Sequence, residues 1–156
     1  MKPFNIVLVA PEIPQNTGTI GRLCVATDAK LHLIEPLGFS LDDKYVKRAG
    51  MDYWQHLDLT VYKTWDEFLE KNPDAKLYFF STHAEKLYYD AGYEEGCYLV
   101  FGRESGGLPK EFYEKYKDNL LLLPMPGKFS RSINLANSVT AALYERFIYS
   151  SSNYCC

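Results

Sequence analysis

Six short apolar runs, separated by segments with helical spacing, restrict the fold of this chain more than any other feature. The runs cover residues 4–10, 31–34, 57–62, 77–80, 98–101 and 120–123. Strands that alternate with helices predict an α/β domain, in which a mostly parallel sheet is flanked by helices. The chain has 156 residues and is 47% hydrophobic, which suits a single domain over residues 1–150. We expect the polar tail at 151–156 to be frayed.

The helices between these runs are predicted from apolar spacing and from residues that cap helix ends. The first helix covers about 16–27, a short one ends near Arg48, and a third covers 65–71. A fourth follows Pro109, and the last begins near residue 134. The N-cap candidates, in chain order, are Asn16, then Ser40 or Asp42, then Thr64 and Asn134. Residues 83–96 form a long irregular stretch, which predicts a lid or an interface loop.

Three stretches that lie far apart in the chain each follow an apolar run and lead into a helix. They are residues 11–18 with Arg22, residues 101–109, and residues 124–126 with 130–138. Because the carboxyl ends of parallel strands meet at one edge of a sheet, we expect the three stretches to line one cleft. The cleft would present glycines, backbone amides, hydroxyls and arginines to a ligand.

Each stretch also has a purely structural interpretation, and the residues alone leave both open. Gly18 alone permits close helix packing. Arg22 lies one turn beyond it, and an arginine above a bare patch of backbone near the start of a helix favours an anion site. Residues 102–107 form a glycine-rich turn that matches neither the dinucleotide fingerprint nor the phosphate-binding loop. Ser132 and Asn134 either supply polar groups to a ligand or simply cap the last helix.

The charge pattern favours a focused basic patch over a broadly basic surface. The formal net charge is −3, which argues against extensive, non-specific coating of nucleic acid. Cations nevertheless cluster at two places outside the motif loops. These clusters are Lys44, Lys47 and Arg48, and Lys128 with Arg131.

Several other kinds of chemistry find little support in the sequence. His83 lacks an obvious acidic or thiol partner for a hydrolase triad, and His32 and His56 are interpreted as structural. No cluster has metal-ligand spacing, and Cys24 and Cys97 are interpreted as small buried hydrophobes. No apolar run is long enough to span a membrane, and the first residues lack the features of a signal peptide. We therefore expect a cytoplasmic protein with no membrane association and no metal.

Taken in order, the three stretches resemble the motifs of the SPOUT class of knotted RNA methyltransferases, and most closely its small YibK/TrmL-type group. That group acts on the wobble ribose of tRNA, and the resemblance extends from about residue 5 to 149. Two further stretches, 33–39 and 48–53, are also similar to this group. The matching motif positions are 11–14 with Asn16, Gly18 and Arg22; 101–102 with Glu104 and 107–109; and 130–132 with Asn134, Leu135 and 137–138. Arg103, Ser105–Gly106 and residues 126–129 depart from the family pattern.

The resemblance implies a fold and a cofactor that the residues alone do not. It implies that residues 1–150 form one SPOUT domain with a deep trefoil knot near the C-terminus, which general topology rules would not predict. It implies a homodimer that packs the first and last helices of two copies together. It also implies S-adenosylmethionine as methyl donor and S-adenosylhomocysteine as product. The implied cofactor contacts are Phe80, Ser81, Thr82, Gly102, Leu123 and Ser132.

The resemblance further implies methylation of the 2′-hydroxyl of the wobble nucleotide in the tRNA anticodon loop. Arg22 is the implied catalytic residue, and because arginine stays protonated we favour charge stabilisation on the 2′-oxygen over a role as base. Asn16, Ser132 and Asn134 would orient the ribose, and Glu104 would brace the site. Expected RNA contacts are Lys44, Lys47, Arg48 and Arg131. The alternatives are a non-catalytic RNA-binding dimer with a nucleoside pocket, methylation of another RNA position, and an α/β enzyme that uses another nucleotide.

Overall fold

The computed structural model describes residues 2–150, without the side chains of residues 49–51, 149 and 150. These residues form six strands and five α-helices, with an α-helix between successive strands except between the fourth and fifth. The tail predicted at 151–156 lies outside the described part. The strands are β1 Asn5–Val9, β2 Lys30–Ile34, β3 Leu59–Tyr62, β4 Leu77–Phe80, β5 Tyr98–Phe101 and β6 Leu120–Leu121. The helices are α1 Pro14–Thr27, α2 Lys44–Gly50, α3 Trp65–Lys71, α4 Lys110–Lys115 and α5 Leu135–Ser150. Short 3-10 turns cover Met51–His56, Tyr88–Asp90 and Lys117–Asn119.

The strands form one sheet in the order β3-β2-β1-β5-β4-β6, and every pairing between them is parallel. The parallel α/β architecture predicted from the sequence is therefore confirmed. Successive residues of β1 point to opposite faces of the sheet, as strand geometry requires. Ile6 and Leu8 pack with α1 and α5 on one face, whereas Val7 and Val9 join the residues of α3 and α4 on the other.

The capping predictions fared differently at different helices. Thr64 accepts a hydrogen bond from the backbone N–H of Glu67 at 3.1 Å, which confirms it as the cap of α3. The prediction for α2 is wrong, because Asp43, and neither Ser40 nor Asp42, accepts from the N–H of Tyr45 at 2.7 Å. The prediction for α1 is also wrong. That helix begins at Pro14 with Ile13 at the N-cap position, so Asn16 lies inside its first turn.

The sixth strand is shorter than the apolar run at 120–123 predicts, because its second half pairs elsewhere. The ladder with β4 ends at Leu121, whose carbonyl accepts from the N–H of Ser81 at 3.0 Å. Leu122 then donates to the carbonyl of Lys86 at 2.7 Å and accepts from the N–H of Tyr88 at 3.0 Å. The loop that leaves β4 thus bonds this segment from both sides.

The last helix returns from that outer edge to the middle of the molecule. α5 packs against α1 and β5, and Phe147 meets Phe4 edge to face with ring centroids 4.8 Å apart. The turn of chain over residues 122–134 therefore joins the edge strand to a helix on the central strands. Among residues 2–150, no helix combines the length and apolar character that crossing a membrane would require.

Candidate active site

A cleft of about 500 Å³ opens where strands β4, β5 and β6 end. All three stretches singled out in the sequence contribute to its walls, together with the loop that follows β4. The six positions expected to hold a cofactor and four of the five expected catalytic residues line it, with Ser132 counted in both groups. These lining residues are Phe80, Ser81, Thr82, Gly102, Leu123 and Ser132, with Asn16, Glu104 and Asn134 beside them.

The carboxylate of Glu104 ties the second stretch to the beginning of α1. It accepts from the backbone N–H of Glu12 at 2.7 Å and of Ile13 at 3.1 Å. It also accepts from the Asn16 side-chain amide at 3.4 Å. The first amides at a helix start have no partner within the helix and favour negative charge nearby. Glu104 therefore holds, from another loop, the two residues that lead into α1, and its negative charge lies near the start of that helix.

Asn16 continues this connection to the third stretch. Its side-chain oxygen accepts from the Asn134 side-chain amide at 3.0 Å, and the oxygen of Asn134 accepts from the N–H of Asn137 at 3.2 Å. Asn134 thereby caps α5, as one of the sequence interpretations held. We call Glu104, Asn16 and Asn134 the cleft chain, because together they join all three loops at one wall of the cleft.

A second set of hydrogen bonds, which we call the clasp, joins the first and second stretches with the carboxylate on the first stretch. The carboxylate of Glu12 accepts from the Ser105 hydroxyl at 2.6 Å and from the Ser105 N–H at 3.2 Å. The Arg103 guanidinium lies 3.9 Å away. The Ser105 hydroxyl bond is the main reason that the pKa of Glu12 is lowered, so Glu12 stays ionised. Sequence reasoning gave Glu12 no role of its own, because its partner lies 93 positions along the chain.

The glycines of the second stretch serve first to fold their own loop. A Cβ on Gly102 would lie 2.0 Å from the carbonyl carbon of Gly107, so only glycine permits this close approach. Gly107 has a φ of +68° and exchanges two backbone hydrogen bonds with Arg103, at 2.9 and 3.2 Å. The structural interpretation of a glycine-rich turn is therefore correct, and the turn leaves Gly102 at the wall of the cleft.

One wall of the cleft contains a cluster that sequence reasoning did not assemble. The Ser81 hydroxyl donates to the Tyr113 hydroxyl at 3.1 Å and accepts from the N–H of His83 at 3.1 Å. The His83 ring meets the Tyr113 ring edge-on, with centroids 5.9 Å apart. Tyr113 comes from α4 and was missed because no local signal links that helix to residues 81–83. His83 is thus part of the cleft wall.

The remaining expected site residues lie outside the cleft of their own chain. Arg22 is exposed on α1, and its guanidinium carbon lies 5.1 Å from the ring centroid of Tyr53. The expected open backbone patch at Gly18 is wrong, since Gly18 is buried. Lys44, Lys47 and Arg48 are exposed on α2, where Lys47 lies 3.5 Å from Asp42. Arg131 is exposed on the loop before α5.

Metal-binding and thiol chemistry find no arrangement to support them in the described structure. Residues 2–150 contain no group of three or more His, Cys, Asp and Glu side chains placed to hold a metal ion. Cys24 and Cys97 are buried and free, as the sequence predicts. Burial raises the pKa of Cys24 to about 12, so its thiol stays protonated and unreactive.

Comparison with known proteins gives consistent matches over almost the whole chain. The model of the SpoU rRNA Methylase family matches residues 3–144. The tRNA (cytidine(34)-2′-O)-methyltransferase of Saccharophagus degradans is 47% identical over 143 residues, covering 91% of this chain and 92% of that protein. The enzyme of the same name from Burkholderia ambifaria is 44% identical over 146 residues, with coverage of 91% and 92%.

Solved structures agree with these matches. A structure described as giving insight into the 2-OH methylation of C/U34 on tRNA superposes with a TM-score of 0.92 and 43% identity, covering 97% of this chain and 98% of that one. The SpoU methyltransferase AviRb from Streptomyces viridochromogenes, solved with the cofactor AdoMet, has a TM-score of 0.84 at 23% identity. That match covers 97% of this chain and 60% of AviRb, and it speaks for the fold alone.

Proposed function

The chain belongs to the SpoU methylase family, and we propose that it transfers a methyl group from S-adenosylmethionine to the ribose 2′-hydroxyl of wobble nucleotide 34 in tRNA. The observation that carries this proposal is the cleft chain, which brings three remote motifs to one wall of a single cleft. The names of relatives that match nearly their full length support the choice of RNA position. The enzyme would act in the cytoplasm as a homodimer, without a metal.

The size and lining of the cleft support an adenosyl group as its ligand. Small-molecule sites commonly enclose about 300–1,000 Å³ and combine apolar walls with a few placed polar groups. Here Phe80 and Phe101 stack with centroids 4.6 Å apart, and Leu123 adds apolar surface. Ser81, Thr82 and Ser132 supply hydroxyls. Phe80, Ser81, Thr82, Gly102, Leu123 and Ser132 would hold S-adenosylmethionine, which when bound supplies an already activated methyl group.

The protein's own contribution is then mainly to position the ribose. Asn16, Ser132 and Asn134 present short polar side chains at the cleft, and Glu104 holds Asn16 in place. Alignment of two reacting groups can lower a barrier by about 7–11 kcal/mol at best. A rigid wall of this kind suits the reaction because the attacking oxygen must point at the methyl carbon.

Arg22 would stabilise the charge that develops on the 2′-oxygen, and we propose that it does so in the cleft of a second copy. It lies on the exposed side of α1, away from its own cleft. α1 and α5 meet at a shallow groove lined by Val25, Ala26, Tyr144 and Phe147. Tyr144 and Ile148 are exposed apolar side chains on α5, which supports a dimer through these helices.

The RNA would reach the cleft along the exposed cations Lys44, Lys47, Arg48 and Arg131. Contacts from lysine and arginine to phosphates release counterions, so the affinity for tRNA should fall as salt rises. The anticodon loop is the expected contact, because it carries nucleotide 34.

The first test is methylation of a tRNA transcript by the purified protein, with nucleoside mass spectrometry as readout. A transcript with 2′-deoxycytidine at position 34 is the matched control, since it lacks only the proposed acceptor. We expect 2′-O-methylcytidine from the first transcript and no methylation of the second. Methylation of the deoxy transcript would place the acceptor elsewhere, and no product from either would refute the proposed function.

Arg22→Ala should reduce turnover by at least about 100-fold, because a charge-stabilising group is removed. Calorimetry should find the affinity for S-adenosylhomocysteine unchanged. Lys110→Ala, at an exposed position of α4, is a control with the same loss of charge. Near-normal turnover in Arg22→Ala would contradict the assignment. Dimers mixed from Arg22→Ala and Asn134→Ala chains should regain activity only if Arg22 serves the other copy.

A further inference from the structure

The loop between β6 and α5 carries an aromatic side chain that the fold leaves in solvent. Phe129 is 89% exposed, more than any other large hydrophobic side chain in the described part of the chain. A phenyl ring in water gains nothing for folding, whereas most other aromatics of this chain pack in the two cores. The ring is therefore available to an external partner, and its neighbours indicate which kind.

Hydrogen bonds within the loop fix the turn that carries the ring. The Ser130 N–H donates to the carbonyl of Gly127 at 3.0 Å, and its hydroxyl donates to the carbonyl of Met125 at 2.9 Å. These two bonds close a turn that has Lys128 and Phe129 at its outer end. Met125 before the turn and Ser132 after it both line the cleft. The turn that carries Phe129 is thus flanked on both sides in the sequence by residues of the cleft wall.

The charges beside the ring indicate what kind of partner it meets. The Lys128 ammonium lies 5.6 Å from the centroid of the Phe129 ring, and Arg131 is exposed two positions further on. Proteins that bind single-stranded nucleic acid combine aromatic platforms, on which bases stack, with cations that contact the backbone phosphates. A ring between two cations matches one unpaired nucleotide and its neighbouring phosphates.

We propose that Phe129 stacks on an unpaired base of the RNA substrate, adjacent to the nucleotide whose ribose enters the cleft. Lys128 and Arg131 contact the flanking phosphates. The proposal rests on the proposed function and adds to it a contact that reads the single-stranded character of the substrate. A stacked base also fixes the height of the neighbouring ribose over the cleft, so Phe129 positions the substrate without touching the methyl group.

The test measures binding of a synthetic anticodon stem-loop to the intact protein over a series of salt concentrations. Phe129→Ala should raise Kd about tenfold, within the range seen when a base loses an aromatic platform. Phe129→Trp should retain affinity, whereas Phe129→Leu, which keeps apolar area but no π-face, should behave like alanine. Lys128→Ala should lower the salt slope by about one, while Phe129→Ala should leave the slope unchanged.

A fluorescent base analogue locates the contact. 2-Aminopurine placed next to nucleotide 34 should lose fluorescence on binding the wild-type protein and should stay bright with Phe129→Ala. Unchanged RNA affinity in Phe129→Ala would overturn the proposal. Weaker binding of S-adenosylhomocysteine by Phe129→Ala would also overturn it, because the ring would then cover the cofactor. A changed oligomeric state in the same variant would overturn it too, because the ring would then lie between two copies. Wild-type methylation of cytidine 34 tests the proposed function separately, since that activity can hold while the stacking contact fails.

Discussion

Two networks of hydrogen-bonded polar side chains join distant parts of this protein, and they differ in where they lie. The cleft chain, Glu104–Asn16–Asn134, ends at a cavity open to a ligand. A second chain lies buried between the sheet and α3, and we call it the core chain. Its five members are Asn5, His32, Tyr62, Asn72 and Tyr98, and the first three are each less than one-tenth exposed.

Every link of the core chain has a donor and an acceptor assigned by its neighbours. The Asn5 amide donates to the carbonyl of Gly96 at 3.1 Å, so its oxygen accepts from His32 Nε2 at 3.1 Å. His32 Nδ1 then accepts from the Tyr62 hydroxyl at 2.9 Å. Tyr62 accepts from the Asn72 amide at 3.2 Å, and the Asn72 oxygen accepts from Tyr98 at 3.1 Å.

The difference separates polar groups that support the fold from those available for chemistry. A buried network that satisfies all its members stabilises one arrangement and offers nothing to a ligand. The cleft chain also stabilises an arrangement, but its members line a cavity. Substitutions should therefore affect turnover at one chain and mainly stability at the other.

Among substitutions that test this difference, the largest effect is expected from Glu104→Gln. The neutral side chain keeps one acceptor oxygen but turns an amide towards backbone N–H donors that now bond a carboxylate. Hydrogen bonds to charged groups contribute about 1.5–3 kcal/mol each. We expect turnover to fall at least tenfold and the unfolding free energy to drop by about 1–3 kcal/mol, measured by methylation assay and urea denaturation.

Glu111→Gln, on the exposed surface of α4, provides a control with the same chemical change. It should leave both turnover and stability as they are. If Glu104→Gln lost stability but kept normal turnover, the cleft chain would be merely structural, like the core chain.

The second largest effect is a loss of stability in acid, caused by His32 in the core chain. Burial lowers the pKa of His32 to about 4, from 6.5 for the unfolded chain. Unfolded chains therefore bind a proton that the folded state excludes, and stability contributed by neutral His32 is lost as pH falls from about 6.5 towards 4. Between pH 7 and pH 5 the unfolding free energy should decrease by about 2 kcal/mol from this group.

Urea denaturation at both pH values, on wild type and His32→Gln, measures this contribution. The variant should lose about 2 kcal/mol less on acidification, whereas His56→Gln, at an exposed histidine, should behave like the wild type. Equal pH dependence in wild type and His32→Gln would show that the proton enters the core chain in the folded state.

The smallest effect is expected at Ser105→Ala, in the exposed clasp on Glu12. The Ser105 N–H still reaches the Glu12 carboxylate, so only the hydroxyl bond is lost. Because that bond is the main cause of the lowered pKa of Glu12, the pKa should rise towards its ordinary value. An NMR titration of the Glu12 side chain measures the change, and an unmoved pKa would mean that other groups hold the carboxylate. Turnover should change by less than about twofold, as is usual for exposed polar pairs.

Local sequence patterns were sufficient to predict the strands and the Thr64 cap. Together with the parallel topology, they also predicted that three loops meet at one edge of the sheet. The loops could be placed because each follows a parallel strand, which is a topological rule and needs no distances. Asn16 was misassigned as a cap because α1 already begins at Pro14, after a lead-in held by Glu104, 92 positions beyond Glu12. Contacts of this range leave no trace in the sequence around either residue. The exposure of Phe129 and the position of Arg22 outside its own cleft likewise depend on how the helices pack.

The pairing of Leu122 with the loop at residues 86–88 has a consequence for unwanted self-association. An unpaired strand at the border of a sheet is a template on which other chains can aggregate. Here the chain seals the β6 border with its own backbone, since Leu122 bonds to Lys86 and Tyr88. The opposite border, β3, has only four residues and lies between Asp58 and Lys63, whose charges discourage pairing with a strand from another molecule. Crowded solutions of this protein should therefore resist amyloid-like growth even though its core is a continuous parallel sheet.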